Sequence, residues 1–141
     1  MAEVREFIIH REPKGKQRVR VTRSGHAYTP NDTTTYEGIV RSEYWRVYPE
    51  AKPLLGPVRV SIVAFYEIPS SWSNRKREQA AKMEIMPTKK PDCDNVAKMI
   101  CDALNGCAYK DDAQVVDLHV LKAYTSDIPF VAVTIIGDTE E

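Results

Sequence analysis

The sequence predicts an α+β fold, a mixed β-sheet packed with helices in a single domain. Three observations predict it. Val58, Val60, Ile62, Ala64 and Tyr66 fall at every second position, the pattern of a strand with one face buried. Val96, Met99, Ile100, Ala103 and Leu104 fall at i, i+3, i+4, i+7 and i+8, the pattern of a helix with one apolar stripe. Two more alternating segments then follow each other at the end of the chain, rather than each being followed by a helix.

At 141 residues the chain can bury a substantial core, and 43% hydrophobic and 28% charged residues are ordinary for a soluble globular protein. In order, residues 4–10 read as a first strand. Residues 11–29 then read as a basic hairpin, opened by Pro13 and Gly15 and turning at Ser24-Gly25. Lys14, Lys16, Arg18 and Arg20 occupy alternate positions there, so an extended chain would point all four to one side, with Arg23 following. Pro30-Asn31-Asp32 offers a cap for a helix over 34–51, carried by Tyr36, Ile39, Val40, Tyr44 and Val47 and ended by Pro53. After the strand at 58–66, Ser73 or Asn74 caps a short charged helix reaching Met83. The connector at 86–91 is extended, because a residue before proline avoids the helical region. The amphipathic helix occupies 95–105 and stops at Asn105-Gly106. Strands at 113–124 and 130–136 complete the order, with Ser126 to Pro129 as the turn and an acidic tail beyond.

Net charge is zero but unevenly placed. Residues 1–90 carry 17 basic and 10 acidic side chains, a sum of +7, and residues 91–141 carry 3 and 10, a sum of −7. A basic half attracts a polyanion and an acidic half holds cations, unless the two interleave on the surface and cancel. No run approaches a membrane span, and the N-terminus is charged, so neither a membrane partner nor a secretory signal is expected. Cys93, Cys101 and Cys107 are odd in number and lack CxxC spacing, which leads us to expect reduced thiols and a cytoplasmic location.

Chemistry concentrates at 91–112. Asp92 and Asp94 lie two residues apart before the helix, where an extended approach would turn both side chains the same way. Either Asp94 or Asn95 could instead cap the helix. Asp111 and Asp112 precede a strand, so one of them at most should share a site with the first pair. A helix about 15 Å long and a short return would bring Asp112 toward Asp92 and Asp94. Three converging carboxylates repel unless a cation joins them, and oxygen donors suit Mg²⁺. An EF-hand is excluded by the missing loop glycine and distal glutamate, and a zinc site by the absence of a histidine near the cysteines. Lys98 stands four residues after Asp94, on the face of Asp102 and Asn105. It is either a routine ion pair with Asp94 or a group that stabilises charge on a phosphate.

The run Pro91-Asp92-Cys93-Asp94-Asn95-Val96-Ala97-Lys98, with Asp102-Ala103-Leu104-Asn105-Gly106 and Asp111-Asp112-Ala113-Gln114-Val115-Val116, resembles the signature of RusA-type Holliday junction resolvases. The dense match covers about a quarter of the chain, and residues 68–90 are longer than in the compact members. The resemblance implies a RusA-like endonuclease domain over 1–141 that nicks a four-way DNA junction as a homodimer with Mg²⁺. It further implies Asp92, Asp94 and Asp112 as metal-binding catalytic residues and Lys98 as the catalytic lysine. Lys14, Lys16, Arg18, Arg20, Arg23, Lys89 and Lys90 would then contact DNA phosphates, which position without reading sequence. Equally, the basic run could be a charged edge protected from aggregation. Tyr28, Trp72 and Tyr109 are core or rim aromatics that could also stack on bases, and His10, His26 and His119 have no partner by spacing. Two other functions fit the same residues: a nuclease for forks or flaps, and a non-catalytic branched-DNA-binding module.

Overall fold

The alternation at 58–66 belongs to a central strand, and the rest of the sheet is built around it. The protein is described by a computed structural model over residues 2–17, 20–28 and 31–140. In chain order its elements are β1 (Glu3–Ile9), β2 (Arg20–Val21), β3 (Ala27–Tyr28), α1 (Asn31–Val47), β4 (Leu55–Glu67), α2 (Asn74–Ala81), α3 (Cys93–Ala103), β5 (Val115–Thr125) and β6 (Phe130–Asp138). Among the described residues the main sheet has four strands in the order β1-β6-β4-β5, and β2 and β3 form a separate two-stranded ribbon. The α+β class and the mixed sheet are as expected.

β4 runs parallel to β5 and antiparallel to β6, which in turn is antiparallel to β1. Parallel neighbours need a long crossover, and α2 and α3 supply it. The turn at 126–129 therefore does not join adjacent strands. It carries the chain past β4 so that β6 inserts between β4 and β1.

One face of the sheet forms the core. Val58, Val60, Ile62, Ala64 and Tyr66 of β4 and Val131, Val133 and Ile135 of β6 are buried there with the stripes of α1 and α3. The opposite face is less covered. Val63 and Phe65 of β4, and Phe130, Ala132 and Ile136 of β6, are only half-buried, while Val4 and Ile8 of β1 and Leu121 of β5 are exposed. Phe65 and Phe130 stack there at 4.5 Å.

α1 begins and ends earlier than the sequence suggests; its last fully buried residue is Tyr44, and Val47 is already exposed. Two of its residues and the next one serve β1. Tyr44 meets the ring of Phe7 edge-on at 5.5 Å. The Tyr48 hydroxyl accepts the outward Glu6 N–H at 2.7 Å, and Glu43 accepts the His10 N–H at 2.9 Å as well as pairing with the His10 ring. The open edge of β1 is thus partly closed by side chains.

Arg5 is fully buried under this cluster. Its guanidinium donates to the Tyr44 hydroxyl at 2.7 Å and to the Glu3 carboxylate at 2.8 Å. Tyr44→Phe should leave one guanidinium N–H buried without an acceptor, at a cost of about 1–3 kcal/mol. Urea unfolding measures this, and an unchanged midpoint would show that water replaces the hydroxyl.

Candidate active site

α3 starts two residues before the sequence reading placed it. Its N-cap position is Asp92, whose backbone is extended (φ −78°, ψ 164°) although its side chain makes no capping bond. Asp94 therefore lies inside the first helical turn. The extended approach expected for both aspartates holds for Asp92 only. Asp94 faces a shallow pocket of about 380 Å³, together with Ala97, Lys98, Cys101 and Asp112. Asp92 is exposed on its helix end and does not line that pocket.

Asp112 arrives by a tight return. Leu104 closes the helix and Gly106 takes a φ of +77°, a conformation glycine adopts at little cost. Tyr109 is then buried, its hydroxyl donating to the Cys101 carbonyl at 2.7 Å, so it is a packing residue and not one that could reach a base. Residues 112–114 form a single 3-10 turn rather than the start of the strand. Asp111 caps it, accepting from the Ala113 N–H at 3.1 Å, with Gln114 completing a capping box. One aspartate of the pair holds the turn while the other faces the pocket.

Because the return is so short, Asp112 meets the last turn of α3 rather than its beginning. Its neighbour there is Asp102. Asp112 has its pKa raised, first by burial, then by a hydrogen bond with Asp102 and by the charges of Asp102 and Asp111, while Lys98 opposes the shift. Two carboxyls within hydrogen-bonding reach require either a shared proton or a cation between them.

Asp102 is the residue that the sequence reading left without a role. Lys16 approaches it at 3.0 Å and also lies 3.3 Å from Glu37 of α1. Lys98 lies 4.0 Å from the same Asp102 oxygen, so its i,i+4 partner is Asp102 and not Asp94. Burial resists charging Lys16, but the hydrogen bonds and charges of Asp102 and Glu37 outweigh it and raise its pKa. The signal was present in sequence, since Asp102 shares a helical face with Lys98, but its partner Lys16 lies far away in the chain.

A close approach holds Lys16 in place. The Lys16 N–H donates to the Asn95 carbonyl at 3.2 Å, and a Cβ added to Gly15 would lie 3.0 Å from the Cβ atoms of both Asn95 and Pro91. Only glycine lets this segment lie flat on the start of α3.

The donors fit a hard cation such as Mg²⁺. They are carboxylate oxygens, and the neighbouring Cys101 thiol is pushed up to about 11, chiefly by burial, so it stays protonated and is a poor ligand. Among the described residues no group of three His, Cys, Asp or Glu side chains converges tightly enough to hold an ion as the side chains stand. Asp102 and Asp112 supply one close pair, with Asp94 elsewhere on the pocket wall.

Comparison with known proteins settles the family. The family described as Endodeoxyribonuclease RusA matches residues 11–136. The chain belongs to the RusA family. Endodeoxyribonuclease activity, DNA binding and a place in recombination are what that membership implies. A Bacillus subtilis (strain 168) relative, "Uncharacterized protein YqaN", is 37% identical over 130 residues, covering 86% of this chain and 89% of the relative.

The basic residues of this RusA-family protein fall into two groups. Lys14 lies 3.6 Å from Asp32 and Lys16 is held in the carboxylate cluster, so neither is a free cation on a common strand face. Their segment is irregular rather than extended in a sheet. Arg23 is exposed beside the turn between β2 and β3, and Lys89 and Lys90 are exposed just before Asp92. Arg18 and the Arg20 side chain lie outside the described residues. Of the other expectations, the three cysteines are free thiols. Trp72 packs against Tyr124 at 5.3 Å, Tyr28 is exposed, and His119 pairs with Asp117 at 2.9 Å. No described helix is long and apolar enough to cross a membrane.

The two lysines on Asp102 should behave differently. Lys16 is largely enclosed and Lys98 is mostly exposed. Lys16→Met should destabilise the fold by about 3–5 kcal/mol, because it strands two partly buried carboxylates, whereas Lys98→Met should change stability by under about 0.5 kcal/mol. Parallel urea titrations compare them, and equal losses would contradict the assignment.

Proposed function

We propose that this protein is a Mg²⁺-dependent endodeoxyribonuclease that resolves four-way DNA junctions by paired nicks, acting as a homodimer. The observation that carries the reading is the single pocket shared by Asp94, Lys98 and Asp112, with Asp102 behind it. Carboxylates and one exposed ammonium around an open cleft suit a phosphodiester and a hard metal ion. Membership of the RusA family supports the substrate class.

Asp94 and Asp112, which share the pocket, would hold Mg²⁺, with Asp92 as the third ligand that the family resemblance implies. A bound Mg²⁺ supplies Lewis-acid polarisation of a phosphate oxygen and acidifies an attacking water. The chain's own groups do the rest. Lys98, tethered loosely to Asp102, can turn toward the pocket and offset charge that develops on the phosphate. Asp102 keeps Lys98 near and biases the protonation of Asp112. Lys89, Lys90 and Arg23 offer phosphate contacts whose strength falls with salt.

Asp94→Asn should lower junction cleavage about 100-fold or more while junction binding in EDTA stays within a few-fold of wild type. Mg²⁺-dependent nicking of four-way, three-way and linear duplex DNA, with EDTA as control, tests both points. Equal activity on linear duplex would remove the junction assignment, and parallel loss of binding would make Asp94 a structural residue. Absence of divalent-dependent cleavage on every branched substrate would favour a binding module.

Support for pairing comes from the less covered sheet face, where Ile8, Val63, Phe65, Phe130, Ala132 and Leu121 form an apolar area with no helix seated across it among the described residues. Such an area on a small protein marks an interaction surface. Leu121→Lys should shift the protein from dimer to monomer in analytical ultracentrifugation without loss of helical content, and a dimer that survives this change would place the interface elsewhere.

A further inference from the structure

A second cluster of charge lies beside the first and is of opposite sign. Tyr66 is buried at the end of β4, and its hydroxyl donates to the Pro91 carbonyl at 2.7 Å, which fixes the ring next to Asp92. Two ammonium groups converge on that ring. Lys122 of β5 has its Nζ 5.3 Å from the ring centroid and donates to the Lys89 carbonyl, and the Lys89 Nζ lies 5.7 Å from the same centroid. Among the described residues neither ammonium ion-pairs with a carboxylate. Lys90 joins Lys89 and Tyr66 in lining a cleft of about 270 Å³, whose wall also includes Glu12 and Glu67.

One aromatic face offsets only part of an ammonium's charge. The nearby carboxylates of Glu12 and Glu67 do not reach either ammonium at ion-pair distance, so a counter-charge would come from outside the chain.

We propose that Lys89 and Lys122, seated on Tyr66, form a phosphate site that holds the bound nucleic-acid strand as it leaves the carboxylate pocket. The proposal rests on the nuclease reading for its ligand but not for its geometry. β5 links the two sites directly. Leu118 borders the carboxylate pocket and Lys122 lies four residues further along the same strand face, roughly 13 Å away. One strand can thus place a phosphate among the aspartates and another between the lysines. Lys122 was not among the residues singled out by sequence, because a lone lysine in an alternating strand reads as a solvent-facing position.

The test measures four-way-junction binding in EDTA by fluorescence anisotropy across a range of NaCl concentrations. It compares wild type, Lys122→Ala, the Lys89→Ala/Lys122→Ala double variant and Lys82→Ala, whose lysine pairs with Glu78 on α2. We expect Lys122→Ala to weaken binding about 5- to 10-fold and to reduce the salt slope by about 1, with a further reduction in the double variant and none in Lys82→Ala. A correctly folded double variant with wild-type affinity and slope overturns the site while leaving the nuclease reading intact. Inorganic phosphate titrated against the protein, followed through the Tyr66 ring signals by NMR, decides the matter if wild type binds no junction. Shifts that vanish in Lys122→Ala would then keep the anion site and discard the DNA reading, and no shifts would discard both.

Discussion

The triangle of Lys16, Asp102 and Glu37 is the constraint on which the site depends. It joins three separate parts of the chain: the segment after β1, helix α1 and helix α3. Asp102 alone, partly buried and pressed against Asp112, would be costly to keep charged. Lys16, which does not line the pocket, supplies the compensating charge. The basic segment predicted to lie along DNA therefore contributes its best-placed lysine to the fold. Gly15 permits this, since a side chain there would collide with Asn95 and Pro91.

Much of the architecture could be read from spacing alone. The strand at 58–66 and the stripe of α3 announce themselves because their periods of 2 and 3.6 reflect burial directly. The Ser73 cap is equally local and holds, while the helix stops at Leu104, two residues before the positive-φ Gly106. What escaped was set by partners distant in sequence. Helix α3 begins at Cys93 rather than Asn95, which puts Asp94 in its first turn and leaves Asp92 at the N-cap. The return of the chain through Gly106 delivers Asp112 to Asp102 at the far end of the helix. That return does not follow from residue pattern, because it depends on how the turn seats against Leu54 and Tyr109.

The sequence's division into a basic and an acidic part survives in altered form. It is not two opposed halves of a molecule. Lys14 and Lys16 neutralise carboxylates locally, and Lys122, from the acidic part, sits among the lysines of the basic part. What remains unbalanced is short-ranged: a negative pocket on α3, and the ammonium groups of Lys89 and Lys122 beside Tyr66, next to the N-terminus of that helix. Short-ranged fields of this kind persist at physiological ionic strength, where the Debye length is about 8 Å.

The hydroxyl of Tyr48 and the carboxylate of Glu43 have a consequence beyond β1 itself. By taking up outward amides on that strand, they deny a docking rail to any further strand that might add on edge to edge. Growth of the sheet sideways into an open-ended polymer is blocked on that flank.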